Sequence, residues 1–200
     1  MKYYKALKDG KTCHGGNAVY HKPKGKRPGK WMPEVKDVVL CEIGYHVCTA
    51  DQLISWIHDC NEVWEVEVRG NSTGAVDKSV HQQIRLIRRV MTERELLLLA
   101  ADYAEHVLRF YEDKYPDDDR PRKAIEATRD YVNGKINAAA RAAAGAAAGN
   151  AARAAARAAA WAAARDVAGA AAWDAAGAAG AAAGAAERQW QIDKLKEYLK

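Results

Sequence analysis

The sequence has neither an apolar leader nor a membrane-length apolar run. Its opening, MKYYKALKDG, contains no h-region, which excludes a secretory signal there. No stretch reaches about 18 strongly apolar residues without a charge, because the longest small-residue segment is interrupted by Arg141, Arg153, Arg157, Arg165, Asp166 and Asp174. A soluble, cytoplasmic protein is the expectation. Cysteine is sparse: Cys13, Cys41, Cys48 and Cys60 are even in number, yet in a reducing cytosol that is no warrant for disulfides. With His14, His46 and His58 they supply donors enough for zinc. The spacing Cys41-x6-Cys48, however, is not the tight C-x2-C knuckle, and strand alternation would set neighbouring donors on opposite faces. Buried structural thiols are expected instead, with no metal and no cofactor. A catalytic signature is missing as well. His46, between Tyr45 and Cys48, loosely resembles the base of a thiol enzyme, but no orienting acid is visible beside it.

What is present is unevenly distributed. Hydrophobic residues make up 49% of the chain, much of it alanine, while the large apolar and aromatic side chains crowd into residues 1 to 136 and the last dozen. The net charge of +5 is concentrated: residues 1 to 36 carry ten Lys or Arg against Asp9 and Glu34, with KPKGKRPGK (22 to 30) at the centre. Such a run reads as a mobile, solvated loop. It is also able to dock an acidic partner or nucleic acid, the less favoured reading.

Residues 1 to 91 read as a β-rich α+β module. In VWEVEVR (63 to 69) Trp64, Val66 and Val68 alternate with Glu65, Glu67 and Arg69, the period-2 pattern of a half-buried strand. QIRLIRRV (83 to 90), DVVLCEIG (37 to 44) and KYYKAL (2 to 7) are further strand candidates. Thr49 and Gln52 form a capping-box pattern ahead of a short helix through His58.

From Thr92 to residue 200 the pattern becomes helical. Thr92 and Glu95 make a second capping box, and a breaker-free run follows in which Leu96, Leu99, Tyr103, Val107 and Phe110 recur at helical spacing, predicting one buried face. PDDDRPRKAIEATRDYVNG then supplies an acidic N-cap, Pro121 in the first turn and Gly134 after the last, with Ala124, Ile125, Thr128 and Val132 expected inward. A closing amphipathic helix presents Trp190, Ile192, Leu195 and Leu199.

Between these lie residues 138 to 184, with 31 alanines in 47 positions. Arg, Gly or Trp marks fall every fourth residue from Arg141 to Gly177. A step of four advances about 40° around a helix, so the marks spiral and present no constant face for ice or membrane. Alanine is the best helix former, which argues against disorder. One continuous helix would run about 70 Å, so the tract is expected to fold back, at Gly149-Asn150 and around Gly177 and Gly180. The C-terminal half thus reads as an alanine-rich, all-α helical bundle.

Two stretches resemble known families. YYKALKDGKTCHGG, VVLCEIGYHVC and WEVEVRG are similar to an uncharacterised N-terminal domain of phage and bacterial proteins. Its pattern is matched by Cys13 and Gly15, by Cys41, Glu42, Gly44, Tyr45, His46 and Cys48, and by Glu65, Val66, Glu67 and Gly70. Residues 100 to about 165 resemble an immunity-protein family of bacterial toxin systems, carried by Asp118, Asp119, Arg120, Pro121, Arg122, Ala124, Ile125 and Glu126. Together the resemblances imply a phage or mobile-element accessory protein with an immunity or anti-defence role.

The candidate ligand-binding residues are Arg120 and Arg122 near a helix N-terminus, able to fork onto phosphate or carboxylate, Arg153 and Arg157 beside Trp161, where an aromatic platform meets cations, and His46. For Arg120 and Arg122 the structural alternative is pairing with nearby acids; for the tract's arginines it is snorkelling or pairing with Glu126 and Asp130; for Trp161 and Trp173 it is filling space in the core. The sequence favours a non-enzymatic, homo-oligomeric binding protein. Its partner is a host or toxin protein, or an anionic small molecule such as a signalling nucleotide. The alternatives are a Cys/His-dependent enzyme on a nucleotide-type substrate and a purely structural oligomerisation protein.

Overall fold

The structure, a computed structural model, describes residues 1–147 and 170–200, the side chains of 170–183 excepted. The chain divides into two compact units: Met1–Leu96 with Trp190–Lys200, and Leu97–Gln189.

The first unit is built on a five-stranded antiparallel sheet in the order β2-β1-β4-β5-β3. The strands are β1 (Tyr3–Lys8), β2 (Lys11–Thr12), β3 (Tyr45–Val47), β4 (Glu62–Gly74) and β5 (Ser79–Met91). The two longest form a hairpin turned by the Ala75 N–H to Lys78 carbonyl bond of 2.8 Å. Alternation places side chains as the sequence predicts: Val66, Ile84 and Leu86 point into the core while Glu67 pairs with Arg85 outside. Leu7, Tyr20, Met32, Val47 and Trp64 complete that core. Each fully buried aliphatic here contributes roughly 1.5–3 kcal/mol. The residue after β3 pairs back onto β1, with Tyr4 N–H to the Cys48 carbonyl at 2.8 Å and Cys48 N–H to the Tyr4 carbonyl at 3.1 Å. The sheet thereby closes on itself.

Three local expectations are corrected. DVVLCEIG is not a strand. Val39 and Ile43 bridge each other around a reversal in which Cys41 (φ 68°) and Gly44 (φ 118°) take positive angles, a geometry incompatible with continued pleating. The helix after Thr49 keeps its capping box but spans only Ala50–Leu53 (α1) before relaxing into turns. The basic run, read as a mobile loop, is pinned: Lys24 and Arg27 exchange backbone bonds of 3.1 Å. Gly29, Met32 and Val35 donate to Leu86, Ile84 and Gln82 along β5 at 2.8, 2.9 and 3.2 Å. Only glycine fits at position 29, since a Cβ there would lie 2.0 Å from the His21 carbonyl oxygen. The C-terminal residues join this unit through Ile192, Leu195 and Leu199, all buried, and through Lys196, which meets Asp51 of α1 at 2.6 Å.

The second unit contains most of α2 (Glu93–Glu112), α3 (Arg120–Val132), a helical segment α4 over 138–147, and the earlier part of α5 (Ala170–Tyr198). The Glu95 carboxylate accepts from both the backbone N–H and the hydroxyl of Thr92, realising the predicted cap of α2. The buried face of α2 differs from the expected one. Leu99 is buried, but Val107 is 36% and Phe110 64% exposed, and the unit packs instead through Ala101 and Leu108 against Ile125 of α3. Those two α2 residues are seven apart, so they share one face. On α3, Ala124, Thr128 and Val132 are half-buried. The N-cap position, Asp119, makes no side-chain cap bond; the Asp118 carboxylate accepts the Arg120 N–H at 3.2 Å. Gly134 closes the helix at φ 72°.

The corner expected at Gly177 and Gly180 is absent, because α5 runs through both. A glycine costs about 1 kcal/mol relative to alanine in a helix, too little to break one flanked by alanines. Gly149-Asn150, Arg153, Arg157, Trp161 and Arg165 lie outside the described residues, as does the Trp173 side chain. Among the described residues no helix is long and apolar enough to cross a membrane.

Candidate functional site

Gly15 and the Cys41–Cys48 motif residues line one cavity of about 390 Å³, while Cys13 and the Glu65–Gly70 part of the motif do not. β1 contributes Tyr4, Lys5 and Ala6, β2 contributes Thr12, and the Gly15-Gly16 turn and Tyr20 form one wall. The Cys41–Gly44 reversal, Tyr45, His46 and Cys48 form another, with Trp56 and Lys78 at the rim. Gly44 is required sterically: a Cβ would meet Val80 Cγ2 at 2.6 Å, and its φ of 118° disfavours any other residue.

His46, a sequence candidate, lines this cavity, and its ring is engaged. Nε2 accepts the Cys41 N–H at 2.8 Å and so holds the reversal closed. Burial, then Lys5 and Lys78, press its pKa down, which favours the neutral imidazole that this bond needs. Cys48 donates to the Tyr4 carbonyl at 3.5 Å, and burial pushes its thiol up to about 12. The thiol is therefore protonated at neutral pH, the opposite of an activated nucleophile. Burial raises Cys13 as well, and takes Cys60 to about 12. All four cysteines are free, and among the described residues no three His, Cys, Asp or Glu side chains gather as a metal-holding group. His14 stacks against His58 and Trp56 at centroid distances of 4.3 and 5.5 Å, while its Nε2 lies 2.7 Å from the Trp56 carbonyl.

Lys5 is the residue that sequence reasoning missed. Its Nζ donates to the His46 carbonyl at 2.7 Å and stands 5.8 Å from the Tyr20 ring centroid. Burial lowers its pKa to about 8. A signal was present: within an alternating strand, Lys5 shares a face with Leu7, which is fully buried.

The second set of candidates lies on α2 and α3. Arg120 forks onto Asp118 through Nε and Nη2 at 2.7 and 2.6 Å, and Tyr111 donates to the same carboxylate at 2.7 Å. These donors hold the Asp118 carboxyl well below the usual range. Arg122 forks onto Glu112 with both bonds at 2.7 Å. Arg129, not singled out from sequence, bridges Glu105 at 2.6 and 2.9 Å and Asp102 at 3.0 Å. Arg141 is not paired with Glu126 or Asp130; its guanidinium sits 5.1 Å from the Tyr131 ring centroid, and Asp130 pairs with Lys135. Phe110 is exposed, with the Arg109 guanidinium 4.8 Å from its ring centroid.

Over residues 87–198 the chain matches a family model described as Imm-5 like putative immunity protein. No curated protein and no solved structure matches the chain.

Proposed function

The chain belongs to the Imm-5 like immunity protein family, and from that membership we propose that it neutralises a toxin protein by binding it, without catalysis. The observation that carries this reading is the extent of the family match, which takes in all of α2, α3 and α5. The N-terminal half, with its resemblance to a phage and bacterial domain, supports a setting among mobile elements and an anti-defence use.

We assign the toxin-facing surface to the exposed side of α2. Phe110 and Val107 lie one turn apart there, exposed, with Arg109 over the ring. Exposed aromatic and arginine side chains are the residue types that dominate protein interfaces energetically. The forks of Arg120 and Arg122 keep neighbouring cations and carboxylates in fixed positions, and such order favours selectivity between partners. The non-enzymatic reading is supported by the protonated Cys48 thiol and the engaged His46 ring.

The test begins with the tagged full-length chain purified from the cell that encodes it, and mass spectrometry of the protein that accompanies it. That protein is then expressed with and without the chain. Restored growth with the wild type, lost in Arg109→Ala/Phe110→Ala and retained in Cys48→Ser, is the expected pattern. Toxicity that persists beside the wild-type chain sinks the immunity reading. Protection that vanishes in a correctly folded Cys48→Ser points to thiol chemistry instead.

A further inference from the structure

The cavity of the N-terminal unit lies among residues 4 to 78, outside the family match, and its chemistry is not explained by toxin binding. Lys5 is the anomaly. An ammonium has three donors, and this one makes a single hydrogen bond, to the His46 carbonyl. Among the described residues no carboxylate lies within ion-pair distance of it; the groups acting on its charge are the Cys13 and Cys48 thiols. Both thiols are kept protonated by burial, so neither supplies a counter-charge. A half-buried cation without one is unfavourable unless something else brings the anion.

The surroundings specify the rest of the ligand. Lys78, 4.5 Å from the Trp56 ring centroid, adds a second ammonium to the lining, itself 3.9 Å from the Asp77 carboxylate, and Glu42 is the carboxylate among the lining residues. Thr12 Oγ1 is buried on the cavity wall and has no hydrogen-bond partner. Tyr20, Tyr45 and Trp56 supply flat apolar walls, and 390 Å³ falls within the size of small-molecule sites, about 300–1,000 Å³.

We propose that this cavity binds a small planar organic anion, whose carboxylate or phosphate group pairs with the Lys5 ammonium while its ring lies among Tyr20, Tyr45 and Trp56. Thr12 donates its hydroxyl to the same anionic group, and Lys78 covers the entrance. The proposal is independent of the immunity reading, since toxin protection and small-anion binding are measured separately and draw on different residues.

The experiment is calorimetric titration of the full chain with AMP, with indole-3-acetate, and with neutral adenosine. Saturable binding of AMP or of indole-3-acetate is expected, and the tighter of the two identifies the head group as phosphate or carboxylate. Adenosine should bind at least tenfold more weakly than AMP, and Lys5→Met should cost the bound anion tenfold or more, as charge-assisted hydrogen bonds do. On the wild-type chain, NMR titration of the Lys5 side chain should start near pH 8 and move up when the probe is bound. This second readout does not depend on the variant folding. The titratable groups that share the cavity with Lys5 in that titration are Tyr4, His14, Tyr20, Cys41, Glu42, Tyr45, His46, Cys48 and Lys78, with Cys13 acting on its charge. No saturable binding of either anion, equal binding of adenosine, or a Lys5 titration unmoved by the probe each overturns the proposal.

Discussion

The two units are stabilised by different physics. The N-terminal sheet encloses a cluster of eight buried residues, among them Leu7, Trp64, Ile84 and Leu86. Among the described residues, the helical unit has a buried cluster of Ala101, Leu108 and Ile125 beside an open apolar groove of about 460 Å³. In the sheet unit a buried carboxylate is individually satisfied, whereas Thr12 Oγ1 and Trp64 Nε1 are buried without a partner. Glu62, 3% exposed, accepts the Gly10 N–H at 2.6 Å and Lys22 at 3.1 Å. In the helices Arg120, Arg122 and Arg129 fork onto carboxylates at the partly exposed surface, while Arg141 Nε is buried without a partner. A well-filled core makes each polar exception within it informative about ligands. A thin core leaves specificity to the surface.

Core truncation draws the sharpest distinction between the units. Ile84→Ala removes a fully buried side chain from a filled interior and should cost about 2–5 kcal/mol in urea unfolding. Ile125→Ala, whose side chain borders the groove, should cost under about 2 kcal/mol, because it enlarges space already open. Equal losses would mean that the helical unit is as tightly packed as the sheet.

Charge removal comes next. Glu62→Ala strands the Gly10 N–H and unpairs Lys22 and Arg89, with an expected cost of about 1–3 kcal/mol that salt hardly changes. Arg129→Met breaks three bonds to Glu105 and Asp102, yet these are partly exposed. About 1 kcal/mol or less is expected, shrinking further at high salt. A salt-insensitive loss at Arg129 would place that network in a desolvated setting.

Sequence reading succeeded where the determinants are local. The alternation of Trp64, Val66 and Val68, the two capping boxes, and Pro121 with Gly134 around α3 are each written within a few residues, and the α+β class follows from their order. It failed where a distant partner decides. Residues 37 to 44 look like a strand until the positive φ of Cys41 and the pin from His46 reverse them. The buried stripe of α2 is chosen by Ile125 of α3 rather than by the most apolar run on the helix itself. The C-E-x-G-x-H-x-C residues were recognisable as a pattern, but their meeting around a cavity depends on the Tyr4–Cys48 pairing that closes the sheet. Lys5 went unnoticed because a lysine in a strand reads as a solvent-facing position, and only three-dimensional closure removes the solvent.

The smallest expected effect is also the one that separates the units by pH. In the helical unit, hydrogen bonds from Arg129 hold the Glu105 carboxyl below its ordinary value, and Arg120 with Tyr111 does the same for Asp118. A depressed acid stabilises the fold above its unfolded pKa, and that contribution is lost as pH falls through the folded value. In the sheet unit burial holds His46 and His81 below the ordinary imidazole value, a penalty that develops as pH falls below about 6.5, while the buried lysine and thiols act on the alkaline side. Lys5 releases its proton near 8 when folded and near 10.4 when unfolded, so its penalty is fully present below pH 8 and fades as pH rises toward 10.4. Cys48 and Cys60, raised to about 12, act oppositely: their contribution is complete below the unfolded thiol value of about 8.5 and is lost as pH climbs through 12. On acidification the near-UV circular dichroism bands from Tyr20 and Trp64 in the sheet core should therefore begin to weaken at a higher pH, as His46 and His81 take up protons, than the helical far-UV signal, which follows Glu105 and Asp118. Loss of both signals at one midpoint would show that the two units unfold as a single cooperative body, and the division of labour between them would then describe packing alone.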